Sequence, residues 1–340
     1  MASYIIAITD HVFHGVEPER AAAAAVGAEL RVGQCRTPEE VLELTRDVDA
    51  ILNCYAPMPT SVVENLERCK IIARYGIGVD TVDLAAATRK GIAVTNVPEY
   101  CIDEVSDHAL ALLLSWARKI VVASRATRAG SWQLADVTPI RRLRGQTLGL
   151  VGLGKIALRL AAKAQALGLR VIGYDPYVSP ERVAPLNIVA VTLDEVLSQS
   201  DFISVHAPLT PETRGMLNAA AFAEMKPTAI VINTARGPLI DETALLDALA
   251  NQRIGGAALD VTPVEPPPAD SPLRTLENVI LTPHIGYYSE ESLRDLQQEA
   301  VDEVLRALRG EPQKSLVNRE IVSQAMSQAI TSAGAQQAEG

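Results

Sequence analysis

Short apolar runs alternate with helical stretches along most of the chain, and this alternation limits the folds that it can adopt. In the first hundred residues we predict strands at 4–8, 49–54, 70–75 and 92–96, with helices at 21–30, 38–46, 61–68 and 84–90. Strands joined through helices pair in parallel, and the helices then cover both faces of the sheet. The pattern therefore predicts an α/β architecture built on a parallel sheet.

A second alternating block begins at residue 147, after a long predicted helix at 104–120 and an Arg- and Ala-rich arm at 121–146. Its predicted strands are at 147–151, 170–174, 202–205, 229–233, 256–259 and 279–281, and its helices at 155–167 and 242–250. A last helix, at 289–308, would return to the first block. We therefore predict one α/β domain of residues 1–102 and 289–325, interrupted by another of residues 103–288, and a flexible tail at 326–340.

The composition argues against several classes of function. The 340 residues include 41 acidic and 31 basic ones, and such a surface repels phosphate backbones, so we predict no nucleic-acid partner. No apolar run reaches the ~18–20 residues that cross a bilayer, and the N-terminus lacks the basic start of a secretory signal. The four cysteines show no metal-ligand spacing. We expect reduced thiols, no metal site, no membrane association and a cytoplasmic location.

A glycine motif follows the first strand of the second block. Gly152, Gly154 and Ala157 form a G-x-G-x-x-A pattern between a predicted strand and a predicted helix. Gly152 permits a tight turn, Gly154 lets the backbone approach a pyrophosphate, and Ala157 allows close packing of helix on strand. Asp175 follows 21 residues after Gly154, at the end of the next strand, where a carboxylate accepts hydrogen bonds from ribose hydroxyls and repels a 2′-phosphate. The motif predicts binding of NAD rather than NADP.

Three charged side chains each follow a predicted strand of the same block. They are Arg236, Glu265 and His284, and carboxyl ends of parallel strands share one edge of a sheet. Together they could reduce a 2-oxo acid: the guanidinium grips the carboxylate and oxo oxygen, the imidazole gives a proton, and the carboxylate stabilises the charged imidazole. Taken singly, each residue could instead be an ordinary loop charge or turn residue.

Seven motifs make the chain resemble the D-isomer-specific 2-hydroxyacid dehydrogenase family over roughly residues 45–310. They are RYGIGVD (74–80), GLGKIA (152–157), YDP (174–176), HAPLTPETRGMLN (206–218), NTARG (233–237), LDVTPVEPPP (259–268) and TPHIGYYSE (282–290). The stretches YDPY, TLGLVGLG and HIGYYSE are most similar to the branch that contains the C-terminal binding proteins, which are NADH-binding corepressors. The resemblance implies two doubly wound parallel-sheet domains, a flavodoxin-like substrate domain from both termini and a Rossmann NAD-binding domain. It also implies a homodimer that forms through the NAD-binding domain and the arm at 121–146.

The same resemblance assigns site residues. His284 would be the acid/base, Glu265 its partner and Arg236 the substrate anchor. The predicted NAD-binding residues are Gly152, Gly154, Lys155, Ile156, Tyr174, Asp175, His206, Ala207, Pro208, Thr213, Thr234, Ala235, Asp260 and Gly286. The predicted substrate-binding residues, besides Arg236 and His284, are Ile77, Gly78, Tyr55 and Tyr287.

The family resemblance leaves three functions open. The first is NAD-dependent interconversion of a 2-oxo acid and a D-2-hydroxy acid. The second, from another class, is an NADH-responsive binding protein with little turnover. The third is a dehydrogenase of the D-3-phosphoglycerate or glyoxylate/hydroxypyruvate type. Outside these sets, His108 on the long helix is interpreted as a structural residue.

Overall fold

A computed structural model of the chain describes residues 4–321. These residues divide into two compact units, one of residues 4–100 together with 289–321 and one of residues 101–288. We call them the terminal unit and the central unit. The predicted tail at 326–340 lies outside the described residues.

The terminal unit has a five-stranded sheet in which every strand pairs in parallel, in the order β2-β1-β3-β4-β5. The strands are β1 (Ile5–Ile8), β2 (Glu29–Val32), β3 (Ala50–Asn53), β4 (Ile71–Arg74) and β5 (Ala93–Thr95). The helices are α1 (Glu17–Ala25), α2 (Pro38–Thr45), α3 (Thr60–Val63), α4 (Leu84–Arg89) and α12 (Glu290–Leu308). Of the three inner strands, β3 and β4 are buried at every position, as expected for a parallel sheet covered on both faces.

The central unit has a seven-stranded sheet, also parallel throughout, in the order β12-β11-β10-β9-β6-β7-β8. The strands are β6 (Thr147–Val151), β7 (Arg170–Tyr174), β8 (Ile188–Ala190), β9 (Phe202–Val205), β10 (Ile230–Asn233), β11 (Gly256–Leu259) and β12 (Val279–Leu281). The helices are α5 (Ile102–Ala117), α6 (Ile120–Arg128), α7 (Lys155–Ala166), α8 (Pro180–Val183), α9 (Leu193–Gln199), α10 (Ala219–Glu224) and α11 (Glu242–Ala250).

The strand order of the central unit determines where ligands can bind. Chain order runs outward from β6 in one direction through β7 and β8, and then in the other direction from β9 to β12. The connections after β6 and β9 therefore leave from opposite faces, which opens a crevice at the carboxyl ends of these strands. The loops after β10, β11 and β12 lie along the same edge, because all the strands run in parallel.

Three predicted helices end earlier than the sequence pattern indicates. The helix predicted at 21–30 is wrong at its C-terminal end, because Gly27 adopts a left-handed φ of +64° and the chain continues as strand β2. The helix predicted at 104–120 ends at Ala117, and Lys119, with a φ of +56°, separates it from α6. The helix predicted at 61–68 ends at Val63, and the N–H of Glu67 instead donates to the carbonyl of Arg46 in a neighbouring segment.

Two further properties concern the chain between residues 4 and 321. None of its helices combines the length and the apolar character needed to cross a membrane. No group of three or more His, Cys, Asp or Glu side chains in this part of the chain is arranged to hold a metal ion.

Candidate active site

The glycine turn after β6 fits a dinucleotide. Gly152 has a φ of +94°, and a Cβ there would lie 2.8 Å from the backbone nitrogen of Ala207, so only glycine avoids both strain and collision. Gly154 begins α7, and a Cβ on it would point into open space. No side chain caps α7, and a helix N-terminus of this kind is suited to an anion through its N–H groups and its positive partial charge.

Asp175 is tied to the glycine turn. Its Oδ2 accepts a hydrogen bond of 2.9 Å from the N–H of Leu153, and its Oδ1 accepts one of 2.9 Å from the N–H of Tyr177. The carbonyl of Tyr174 accepts a 2.8 Å bond from the N–H of Gly152. A carboxylate held in this way beside the glycine turn is suited to ribose hydroxyls, as the sequence spacing predicts.

The loops after β9 and β10 supply the opposite wall of the crevice. The His206 imidazole lies 2.9 Å from the Ser204 hydroxyl, and burial lowers its pKa to about 4, so it is neutral at pH 7. Thr213 closes this loop by donating a 2.6 Å hydrogen bond to the carbonyl of Pro208. The Thr234 Oγ1 is buried without a partner in the structure, which leaves a polar atom that a bound dinucleotide could satisfy. Together with the glycine turn and Asp175, these residues fit NAD.

The side chains of His284 and Glu265 lie within hydrogen-bond distance of each other. The His284 Nδ1 lies 2.6 Å from the Glu265 Oε2, although the two residues follow different strands and are 19 positions apart. The other carboxylate oxygen, Oε1, accepts a 3.0 Å hydrogen bond from the N–H of Thr262. The Tyr287 ring packs edge-on against the imidazole, with 6.0 Å between the ring centroids. The imidazole is thereby fixed from two sides.

Arg236 lies on the neighbouring loop, after β10. The Asn233 side chain holds that loop by donating a 2.8 Å hydrogen bond to the carbonyl of Arg236, and the Arg236 Nη1 donates a 2.8 Å bond to the carbonyl of Ala235. A Cβ on Gly237 would collide with the backbone of Thr262, so the arginine loop lies directly against the loop that carries Glu265. A continuous set of contacts thus connects Arg236, Glu265 and His284.

Asp260 anchors the turn that carries His284. Its Oδ1 accepts hydrogen bonds from the Thr282 hydroxyl at 2.5 Å and the Ile285 N–H at 3.0 Å, and its Oδ2 accepts one of 2.8 Å from the Gly286 N–H. Its backbone carbonyl accepts the N–H of His284 at 2.8 Å. Burial disfavours the charged carboxylate, but the donated hydrogen bonds outweigh this cost and lower the pKa of Asp260.

Sequence reasoning missed the part that His108 and Thr282 play in this turn. The His108 Nε2 lies 2.9 Å from the Thr282 Oγ1 and 3.3 Å from the Asp260 Oδ1. His108 is 174 positions from Thr282, so no local pattern could relate the two residues. The available signal was the pair of side chains itself: a polar residue on the mainly apolar helix α5, and a threonine two positions before His284.

The remaining predicted substrate residues belong to the terminal unit. Ile77 and Gly78 lie in the turn after β4, and the Asn96 side chain holds this turn by donating a 2.7 Å hydrogen bond to the carbonyl of Ile77. The Tyr55 ring is 43% exposed, and the Arg74 guanidinium lies 5.5 Å from its centroid. The structure thus places these residues at the carboxyl ends of β3 and β4, and their contact with a substrate stays a prediction.

Known proteins resemble this chain over most of its length. It is 40% identical over 280 residues to a D-3-phosphoglycerate dehydrogenase of Synechocystis sp., over 82% of this chain and 50% of that protein. It is 38% identical over 287 residues to a glyoxylate reductase of Korarchaeum cryptofilum, over 83% and 86% of the two chains. The crystal structure of D-lactate dehydrogenase from Aquifex aeolicus complexed with NAD and lactic acid superposes with a TM-score of 0.81 at 29% identity, over 90% and 96% of the two chains.

The chain spans about half the length of the phosphoglycerate dehydrogenases that it matches. Residues 110–286 match the family model described as the D-isomer specific 2-hydroxyacid dehydrogenase, NAD binding domain. The predicted fold and the predicted cofactor, NAD, are confirmed, whereas the predicted likeness to the corepressor branch stays a prediction. The chain belongs to the D-isomer specific 2-hydroxyacid dehydrogenase family.

Proposed function

We propose that the protein is an NAD-dependent oxidoreductase that interconverts a 2-oxo acid and a D-2-hydroxy acid. The observation that carries this proposal is the 2.6 Å pair of His284 Nδ1 and Glu265 Oε2, on loops packed against the loop of Arg236. A proton donor beside an anion-binding guanidinium is the arrangement that reduction of an oxo acid requires. The glycine turn lies along the same edge of the sheet, where a cofactor would meet that acid.

The division of labour follows from the chemistry of each group. The Arg236 guanidinium pairs with the substrate carboxylate and orients the oxo oxygen through its planar set of donors. His284 gives a proton to that oxygen, and the Glu265 carboxylate holds the ring through Nδ1, so that the proton leaves from Nε2. When bound, NADH supplies the hydride that reduces the oxo carbon. In the reverse direction His284 accepts the hydroxyl proton.

Binding of the dinucleotide is assigned to the residues around β6. The pyrophosphate would lie against Gly152, Gly154 and the first N–H groups of α7, and the adenosine ribose against Asp175. The buried Thr234 hydroxyl would face the nicotinamide half. Because a carboxylate repels a 2′-phosphate, NADH is expected to bind more tightly than NADPH.

The direct test is turnover. The purified protein is mixed with NADH and, separately, with glyoxylate, hydroxypyruvate, pyruvate, phenylpyruvate and 3-phosphohydroxypyruvate, and the absorbance of NADH is followed. We expect oxidation of NADH by at least one of these acids, with formation of the corresponding 2-hydroxy acid, in the D configuration wherever the new carbinol carbon is chiral. The ranking among them distinguishes a glyoxylate/hydroxypyruvate-type enzyme from a phosphoglycerate-type enzyme. Silence with every acid, combined with tight NADH binding, would favour the NADH-responsive binding protein instead.

We also propose a homodimer that forms through the central unit. Large apolar side chains of the arm support this proposal, because Trp132 is 85% exposed and Leu134 is 77% exposed in the single chain. Ile120 and Val121, at the start of α6, are exposed as well. Several large apolar side chains exposed on one segment are typical of a surface that another protein chain covers.

A further inference from the structure

The turn that carries His284 has an unfavourable backbone conformation. His284 has a φ of +54°, in the left-handed region that non-glycine residues rarely adopt. Such a conformation persists only where the surroundings impose it. The donors that fix this turn are the N–H groups of His284, Ile285 and Gly286, and all three bond to Asp260. The position of the imidazole therefore depends on where the Asp260 carboxylate points.

The Asp260 carboxylate is in turn oriented by two side chains. The Thr282 hydroxyl donates its proton to Oδ1 at 2.5 Å, so its oxygen is left to accept the Nε2–H of His108 at 2.9 Å. His108 projects from α5, which packs beneath the sheet, and its Nε2 also lies 3.3 Å from Oδ1. A series of hydrogen bonds from His108 through Thr282 to Asp260 thus joins helix α5 to the turn that carries His284.

Tight packing makes this chain of contacts stiff. A Cβ on Gly286 would lie 2.9 Å from the Asp260 Oδ2 and 3.3 Å from the His108 ring. Asp260 is only 3% exposed, so water cannot readily replace a lost donor. Removing either the Thr282 hydroxyl or the His108 ring leaves a buried carboxylate short of a hydrogen bond.

We propose that His108 and Thr282 are positioning residues, which orient Asp260 and thereby hold the turn that presents His284 to the substrate. The inference rests on the proposed function, since it assigns to His284 the role of acid/base. Neither residue has to touch the substrate or the cofactor for this role. The two side chains should affect the chemical step through the position of His284.

The experiment compares isosteric and conservative variants. Thr282→Val removes the hydroxyl but keeps the shape, and Thr282→Ser keeps the hydroxyl; His108→Leu removes the donor, and His108→Gln supplies an amide donor in its place. Ser106→Ala, on the same helix, is the matched control, because its hydroxyl bonds to the carbonyl of Asp103 and to Lys163 rather than to the turn. Two quantities are measured: kcat with the best 2-oxo acid, and hydrogen exchange of residues 284–287 in the protein without cofactor.

We expect Thr282→Val and His108→Leu to lower kcat by ~10- to 100-fold and to speed exchange of the Ile285 and Gly286 amides by ~10-fold or more. Thr282→Ser and His108→Gln should recover most of both losses. Wild-type kcat and wild-type exchange in Thr282→Val would overturn the inference.

The two proposals can fail separately. If the wild-type protein reduces no 2-oxo acid, the proposed function fails, and hydrogen exchange alone decides the inference. Faster exchange at 285–286 in Thr282→Val, with normal exchange in Ser106→Ala, would then still support the positioning role. Unchanged exchange would refute it.

Discussion

Two turns at the same edge of the central sheet each place one residue in a backbone conformation with positive φ, but the conformation is stabilised differently in the two turns. After β6 the chain turns at Gly152 with a φ of +94°, and after β12 it turns at His284 with a φ of +54°. Glycine adopts such a conformation at almost no cost, whereas a residue with a side chain pays about 1–2 kcal/mol. The second turn is held by hydrogen bonds from its own N–H groups to Asp260, a residue 24 positions earlier.

Under the proposed function, the difference follows from the group that each turn presents to the ligand. The glycine turn needs only backbone, because an anion approaches its N–H groups and a side chain would block the way. The His284 turn must project an imidazole, so glycine is excluded there and the surroundings have to impose the conformation. The turn at Gly152 is consequently encoded by its own sequence, while the conformation of the turn at His284 depends on residues elsewhere in the chain.

The largest expected effect is loss of the imidazole with the turn kept intact. Asparagine tolerates the left-handed region better than other residues with a side chain, so His284→Asn should preserve the backbone of the turn. We expect kcat to fall by roughly 10²- to 10⁴-fold, the usual contribution of a general acid, with NADH affinity within ~2-fold of wild type. Steady-state kinetics and NADH fluorescence measure the two quantities. A variant that kept a near-normal kcat would remove His284 from the mechanism.

Alanine substitutions at the two glycines of the cofactor turn should have effects of intermediate size, and they should change the free energy of unfolding by different amounts. Gly152→Ala forces a Cβ against the backbone of His206 and Ala207 and should lower the free energy of unfolding by about 1–3 kcal/mol, as well as weaken NADH binding. Gly154→Ala meets no atom within 4 Å and has a φ of −74°, so its stability should stay within about 0.5 kcal/mol of wild type.

NADH affinity is the second measurement on this pair. Gly154→Ala should bind NADH at least ~10-fold more weakly, because the methyl group would occupy the approach of the pyrophosphate. Denaturant unfolding and fluorescence titration report the two properties. Equal stability loss in both variants would contradict the distinction between a structural and a ligand-facing glycine.

The smallest effect concerns the loop that supports the cofactor turn. Burial lowers the pKa of His206 from its ordinary value of 6.5 to about 4, so the unfolded chain takes up a proton that the folded chain refuses. The contribution of neutral His206 to the free energy of unfolding is present above pH 6.5 and is lost as the pH falls toward 4. Between pH 7 and pH 5 the loss should be about 2 kcal/mol.

His206→Gln, which cannot take up a proton, serves as the comparison for this pH dependence. Denaturant unfolding at pH 7 and pH 5 measures the free energy of unfolding of both proteins. The variant should lose less stability than wild type over this interval, by about 2 kcal/mol. Identical losses would mean that another group causes the acid sensitivity of the protein.

The sequence alone could predict those features that depend on residues close to one another along the chain. The strand, glycine turn and helix from Thr147 to Ala166 are found nearly where the pattern puts them, because each signal lies within a few residues of the structure that it specifies. The loops carrying Arg236 and His284 were likewise predicted to share one edge of a sheet, since parallel strands leave no other arrangement.

The sequence alone could not predict those features that depend on contacts between residues far apart along the chain. Strand β8, at Ile188–Ala190, was missed because three residues at a half-exposed sheet edge carry little periodicity. The contacts of His108 could not be predicted for the same reason: its partners Thr282 and Asp260 are more than 150 positions away and meet it only after the sheet has formed. The left-handed conformation of His284 also has no local signature.

The contact between Gly237 and the backbone of Thr262 has a consequence for how such a site can diversify. Here two segments touch main chain to main chain, and only glycine at position 237 leaves room for this contact. The spacing between the loops of Arg236 and Glu265 therefore cannot be adjusted in small steps, because any side chain at position 237 would force the two loops apart. Selectivity among acids would have to be altered by residues that border the substrate elsewhere, while the reacting groups keep one fixed separation.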